Sequence, residues 1–114
     1  MYDIFPDGYQ IVEDRDSRTF RDGTKVFIVK IPSESSDSFS VSLREKGFVN
    51  MPLPDDIYQT VSGDPEIGAA ADISNGLWWF KDRSPKEDRG KYTNYTLHIY
   101  NLDTCVYDYF ESDS

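Results

Sequence analysis

The chain contains one cysteine and one histidine, Cys105 and His98, and both fall in a predicted β-hairpin. A two-residue loop would make them diagonal neighbours on one face, where a thiol and an imidazole could act as a nucleophile and its base. Such a pair also needs a third group to orient the imidazole, and the hairpin supplies none. A lone cysteine in a strand is usually a small buried apolar residue. We therefore expect no catalytic residues and a protein that is not an enzyme.

The remaining residues with metal-binding or phosphate-binding chemistry form no recognisable site. A zinc ion needs about four ligands, mostly Cys and His, and the chain has one of each. The seven glycines are scattered and form no phosphate-binding loop. The run Asp14–Arg18 begins like a calcium loop, but arginines occupy two of its positions. We expect neither a cofactor nor a metal ion.

The charge of the chain is strongly negative and unevenly distributed. It has 21 acidic and 12 basic residues, a formal net charge of -9. Residues 47–80 carry five acids and residues 92–114 carry four, and neither stretch contains Lys or Arg. Such a charge repels phosphates, which argues against direct binding of nucleic acid, and it attracts basic proteins. The alternative is that the acidity only keeps an aromatic-rich protein soluble.

Aromatic side chains offer a second candidate contact surface. Trp78 and Trp79 are adjacent in a predicted strand and therefore point to opposite faces, so at most one lies in the main core. One face of the C-terminal hairpin carries His98, Tyr100, Cys105, Tyr107 and Tyr109. Exposed rings would favour a protein interface or a stacked sugar. Cross-strand packing, or cover by another element, would explain the same rings without a partner.

The hydrophobic pattern predicts a mainly β fold. Residues 25–31 are apolar on both faces and predict a central, fully covered strand. Residues 38–43 alternate apolar and polar side chains, which predicts a half-buried strand. Residues 94–100 and 105–110 predict an antiparallel hairpin. We expect one or more antiparallel sheets, arranged as a small sandwich or a partly open barrel.

One short helix is predicted near 54–62, because Pro54 suits a first helical position. Residues 64–76 fit two structures: a hairpin turning at Asn75-Gly76, which we favour, or a helix over the alanine run. The rest of the single globular domain, residues 1–114, includes a charged surface loop at 81–91 and a C-terminal tail at 111–114.

These features predict a non-enzymatic, acidic protein-binding module. Its partner would be a basic, nucleic-acid-binding protein such as a nuclease, which it would inhibit as a nucleic-acid mimic. The alternatives are a small β domain that binds a carbohydrate-like ligand through an exposed Trp, and a structural or assembly subunit. We expect a cytoplasmic location, because the chain allows no internal disulfide and has no long apolar segment. The expected partner-binding residues are Asp55, Asp56, Asp64, Glu66, Asp72, Trp79, Tyr100, Asp103, Tyr107, Asp108, Tyr109 and Glu111.

Overall fold

The computed structural model describes residues 4–16, 23–85 and 92–113, and one antiparallel six-stranded sheet lies at its centre. The strands are β1 (Gln10–Asp16), β2 (Gly23–Lys30), β3 (Val49–Asn50), β4 (Gly76–Asp82), β5 (Tyr95–Asn101) and β6 (Val106–Asp113). The helices are α1 (Ser36–Glu45), α2 (Asp55–Val61) and α3 (Gly68–Ala71). The expected mainly β, antiparallel fold and the short helix near 54–62 are confirmed.

The strand order is β1-β2-β6-β5-β4-β3, and the central strands are apolar on both sides. In β5, Leu97 and Ile99 face one side and Tyr100 faces the other, and all three are fully buried. The side covered by α1 is called the α1 face, and the side covered by α2 and α3 is called the α2 face. No second sheet or barrel closure forms among the described residues, because the helices supply the cover that a second sheet would give.

Residues 38–43, predicted as a strand, lie instead in α1. Phe39 and Leu43 are four residues apart, which places them on one side of a helix, and both are buried against the sheet. Val41 points away and is 55% exposed. The spacing of Phe39 and Leu43 fits both a strand and a helix, so the alternation of apolar and polar side chains does not distinguish between the two structures.

The predicted hairpin at Asn75-Gly76 does not form, and the helical alternative for this segment is the observed one. The alanine run forms α3, and β4 begins at Gly76 and pairs with β3 and β5. Asn75 instead contacts the loop between β5 and β6, where its Nδ2 donates to Asp103 Oδ1 at 2.8 Å. Asn75 thus forms a contact with a segment that is distant in the sequence and does not form the predicted hairpin turn.

The C-terminal hairpin forms two residues out of its predicted register. Tyr100 pairs with Tyr107 rather than with Cys105. The loop comprises residues 102–105, because Asn101 Oδ1 accepts two of its backbone N–H groups, at 2.9 and 3.2 Å. Cys105 closes the loop with a φ of 59°. Since the shift is an even number of residues, every side chain of the hairpin keeps its predicted face.

The ends of two strands also differ from expectation. Strand β4 continues to Asp82, so the charged loop predicted at 81–91 begins two residues later than expected. Residues 111–113 belong to β6 and are not a tail. Residues 86–91 of that loop, Ser114, and residues 17–18 of the calcium-like run lie outside the described residues. Within the described ranges, no helix has the length and apolar character needed to cross a membrane.

Candidate functional site

Five of the predicted acidic contact residues belong to one layer of the molecule. Residues 52–75, which carry α2 and α3 across the α2 face, contain five carboxylates and no Lys or Arg. We call this segment the acidic layer. Its carboxylates are Asp55, Asp56, Asp64, Glu66 and Asp72. All are exposed except the half-buried Asp64, because apolar side chains such as Ile57 and Val61 take the positions that face the sheet.

Two tyrosine hydroxyls hold carboxylates of the acidic layer in place. Tyr58 Oη donates to Asp72 Oδ1 and Tyr92 Oη donates to Asp56 Oδ2, each at 2.6 Å. The Tyr92 hydroxyl, followed by a backbone N–H, lowers the pKa of the Asp56 carboxyl. The same two hydrogen bonds raise the pKa of Tyr58 and of Tyr92. The two hydrogen bonds therefore hold both carboxylates in position, and the lowered pKa keeps Asp56 ionised at neutral pH.

The acidic layer also carries contacts with the first two strands. Arg15 of β1 reaches Glu66 Oε2 at 2.6 Å and Glu13 Oε1 at 3.0 Å, which lowers the pKa of the Glu66 carboxyl. Asp64 accepts the hydroxyl of Thr24 at 3.4 Å and the backbone N–H of Glu66 at 2.8 Å. Glu66 is thus partly neutralised, and Asp64 shapes the turn that leads into α3.

The acidic residues of the C-terminal stretch lie apart from the acidic layer. Asp103 is exposed in the loop between β5 and β6, and Glu111 lies near the end of β6. Arg83 Nη2 lies 3.0 Å from Asp113 Oδ1 and 3.9 Å from Glu111 Oε1. This stretch has no basic residue in its sequence, but the fold brings Arg83 onto it, so its charge is neutralised in part.

The tyrosines expected at a partner surface pack inside the protein instead. Tyr100 and Tyr107 are fully buried on the α1 face, and Tyr109 is nearly so. Phe39 of α1 meets Tyr100 edge to face, with ring centroids 5.0 Å apart. Phe5 meets Tyr107 in the same way at 5.2 Å. Cover by α1 and the N-terminal segment explains the aromatic character of this face, and these rings are not free to contact a partner.

Trp78 and Trp79 point to opposite faces of β4, and both are half-buried. Trp78 Nε1 donates to the backbone carbonyl of Asn50 at 3.1 Å. Trp79 borders a cavity of about 450 Å³ on the α1 face. The other side chains of this cavity are Ile4, Lys46, Phe48, Lys81, Thr96, His98, Tyr107 and Tyr109. Aromatic walls with two lysines could hold a ring-shaped ligand by stacking and by hydrogen bonds.

His98 lies among these aromatic rings with its Nδ1 atom 2.5 Å from the Tyr107 hydroxyl. Burial lowers the pKa of His98 to about 4, so the imidazole is neutral at pH 7. Burial also raises the pKa of Tyr107 well above its ordinary value, so the phenol keeps its proton. The observed hairpin register places Cys105 in the loop beyond the last strand pair, and the predicted neighbourhood with His98 does not form.

Asp108, another predicted contact residue, lies in the middle of the α2 face and is 8% exposed. It pairs with Ile28 on one side and with Ile99 on the other. Burial, reinforced by the nearby Glu13 carboxylate, raises the pKa of Asp108 to about 7. The side chain borders a cavity of about 340 Å³ beside α3, and Glu66 borders the same cavity. It is therefore not part of the outer acidic surface.

The residues that fix the acidic layer were not predicted as site residues. Tyr58, Tyr92 and Arg15 reach carboxylates 14, 36 and 51 residues away in the sequence. Contacts between residues so far apart leave no local pattern in the sequence, so these three residues could not be predicted from it. In the part of the chain that the structure describes, no three His, Cys, Asp or Glu side chains lie close enough together to hold a metal ion.

Comparison of the chain with protein-family models, with curated proteins and with solved structures found no match.

Proposed function

We propose that this protein is a non-enzymatic binding module that docks on a basic, nucleic-acid-binding protein through its acidic layer. The observation that carries the proposal is that residues 52–75 cover the α2 face with five carboxylates and contain no Lys or Arg, and that Glu66 is the one carboxylate of the five that pairs with a basic side chain of the described residues, Arg15. Opposite charge on a partner would steer the encounter and fix the orientation of the complex. Proteins that bind nucleic acids carry the positive surface that complements this layer.

The positions of the carboxylates support the same proposal. Asp56 and Asp72 are each held by a tyrosine hydroxyl at 2.6 Å, so they lose little freedom when a partner binds. Tyr58 is itself 38% exposed beside them and offers a ring with a hydrogen-bonded hydroxyl, a side chain that is common at interfaces. A partner whose basic cleft normally holds phosphates would be blocked by such a layer, which makes inhibition the proposed outcome of docking.

Calorimetry with purified basic nucleic-acid-binding proteins, nucleases among them, tests this proposal. We expect at least one of them to bind, with an affinity that falls as salt is raised from about 50 to about 300 mM. The double variant Asp55→Lys/Asp72→Lys should weaken this binding at least about tenfold, which corresponds to about 1.4 kcal/mol.

The control is Asp37→Lys/Glu45→Lys, which makes the same change in net charge at exposed positions of α1. It should retain most of the affinity, since α1 covers the opposite face of the sheet. Equal losses in the two double variants would show that only the net charge matters. Binding that does not respond to salt would show that charge is not the driving force.

A second candidate function, the binding of a carbohydrate-like ligand, is favoured by the cavity beside Trp79. The indole forms one wall, and the neutral His98 and two lysines supply hydrogen-bonding groups. Titration with simple saccharides should change the tryptophan fluorescence of the wild type and of Trp78→Phe, whereas Trp79→Phe should lose the response. A response that depends equally on both indoles would count against this candidate.

A further inference from the structure

The cavity beside α3 contains a carboxylate that has no hydrogen-bond or ion-pair partner among the described residues. Its walls are formed by Ile28, Glu66, Ala69, Ile73, Asn101 and Asp108, with further apolar contacts beneath them. Its volume of about 340 Å³ lies at the lower end of the range of ligand-binding cavities, roughly 300–1,000 Å³. Glu66 and Ala69 are exposed, so the cavity opens on the same side of the molecule as the acidic layer.

Asp108 is unusual because it is more than nine-tenths buried in an apolar row of the sheet. Its cross-strand neighbours are Ile28 and Ile99. Its carboxylate has neither a hydrogen bond nor an ion pair with any residue that the structure describes. Every fully buried side-chain oxygen and nitrogen of the described residues does have a hydrogen-bond partner. The carboxylate oxygens of Asp108 therefore reach the open space of the cavity.

Among the described residues, no basic side chain pairs with Asp108, and the charged groups nearest to it are acidic or already paired. Glu13 of β1 raises the energy of a second negative charge nearby. Arg15 of the same strand is already engaged by Glu13 and Glu66, at 3.0 and 2.6 Å. Glu66 borders the cavity and adds a further carboxylate near it. The cavity thus combines negative charge at its polar end with apolar walls.

We propose that this cavity is the seat of one arginine side chain of the basic partner, with its guanidinium on Asp108. The inference rests on the proposed docking function and adds the group that is recognised. An arginine has an apolar stem for the walls of Ile28 and Ile73 and a planar head that pairs with a carboxylate through two hydrogen bonds. A lysine fits less well, because its ammonium is more strongly hydrated than a guanidinium and loses more hydration free energy on burial.

Such a seat links binding to pH. In the empty cavity the Asp108 carboxyl is partly protonated near pH 7, because burial raises its pKa to about 7. A guanidinium favours the ionised form, so the cavity releases a proton as arginine enters. Affinity should therefore increase as the pH is raised from 6 to 8, about the pKa of Asp108.

Titration of the protein with N-acetyl-arginine amide, followed by amide resonances in two-dimensional NMR spectra, tests the seat directly. Shifts are expected at Asp108, Ile28 and Ala69 and should be larger at pH 8 than at pH 6. The neutral citrulline analogue should give none. Asp108→Asn should abolish the shifts, whereas Asp72→Asn, which removes the same charge from the outer surface, should retain them.

Two further measurements separate this inference from the docking function. With a basic protein that binds, Asp108→Asn should lower the affinity by about 30-fold or more, as expected for loss of one partner in a buried charge pair. Ala69→Leu, which narrows the cavity and leaves Asp108 in place, should weaken binding by a similar factor. Salt-dependent docking that neither variant weakens would overturn the arginine seat and leave the docking function intact. Equal shifts with the citrulline analogue would also overturn it.

Discussion

At the scale of single residues, Arg83 shows how the fold redistributes charge. It follows β4, in a segment where the sequence suggested only a solvated loop. Its Nε donates to Thr96 Oγ1 at 2.9 Å, and its Nη2 donates to the backbone carbonyl of Tyr95 at 2.8 Å and lies 3.0 Å from Asp113 Oδ1. One guanidinium therefore connects the end of β4 to β5 and to β6. The five donors of the arginine head make this number of contacts feasible.

We expect Arg83→Met to lower the free energy of unfolding by about 1–2 kcal/mol, because two backbone carbonyls and the carboxylate of Asp113 lose their shared donor. Urea unfolding at pH 7, followed by tryptophan fluorescence, measures the change. Arg44→Met is the control, since Arg44 is exposed and makes one side-chain hydrogen bond, to Asn50 Oδ1. It should change the stability by less than about 0.5 kcal/mol. Similar losses in both variants would contradict a special role for Arg83.

At the scale of secondary-structure elements, the sequence predicted best where both faces of a strand are apolar. Strand β2 is central and pairs with β1 and β6, as the apolar run over residues 25–31 indicated. The hairpin of β5 and β6 was also predicted, with the right residues on each face. The register of this hairpin was predicted wrongly, because the length of its loop depends on the hydrogen bonds that Asn101 accepts.

The elements that were predicted wrongly have patterns that fit two structures. Phe39 and Leu43 are compatible with a strand and with a helix, and the sheet has no free central position for a further strand. Asn75-Gly76 is a strong local turn signal, but contacts of Asn75 with the β5–β6 loop determine its structure. For the acidic layer, the sequence predicted the five carboxylates but not the tyrosines that hold two of them, because those contacts are long-range.

The start of β4 gives a test of how tightly the sheet is packed. A Cβ added at Gly76 would lie 2.5 Å from the carbonyl oxygen of Tyr100, on the neighbouring strand. Gly76→Ala should therefore destabilise the protein by about 1–3 kcal/mol, as measured by thermal unfolding. Gly63→Ala is the matched control, because nothing lies within 4 Å of the corresponding Cβ, and it should be neutral or slightly stabilising. Equal stability of the two variants would contradict this backbone contact.

At the scale of the whole molecule, the two covered faces of the sheet place two titratable groups in opposite environments. His98 lies on the α1 face and Asp108 on the α2 face, and burial disfavours the charged form of each. Burial lowers the pKa of His98 from its ordinary 6.5 to about 4 and raises the pKa of Asp108 from its ordinary 3.8 to about 7. Between about pH 4 and 6.5, His98 is protonated in the unfolded chain and neutral in the folded chain. In the same range, Asp108 is ionised in the unfolded chain and protonated in the folded chain.

These two groups should therefore have opposing effects on stability in that range. For His98 the folded state gains stability as the pH rises, and for Asp108 it loses stability, each by up to about 1.4 kcal/mol per pH unit. Asp108→Asn should give a free energy of unfolding that rises more steeply from pH 4.5 to 6.5 than that of the wild type, whereas His98→Gln should give one with a lower slope than the wild type. The slope of the wild type should lie between those of the two variants. Urea unfolding at pH 4.5, 5.5 and 6.5 measures all three slopes. The carboxylates elsewhere in the chain contribute equally to the slopes of all three proteins, so a difference between the slopes reports on His98 and Asp108. Equal slopes in the three proteins would contradict the burial of these two groups.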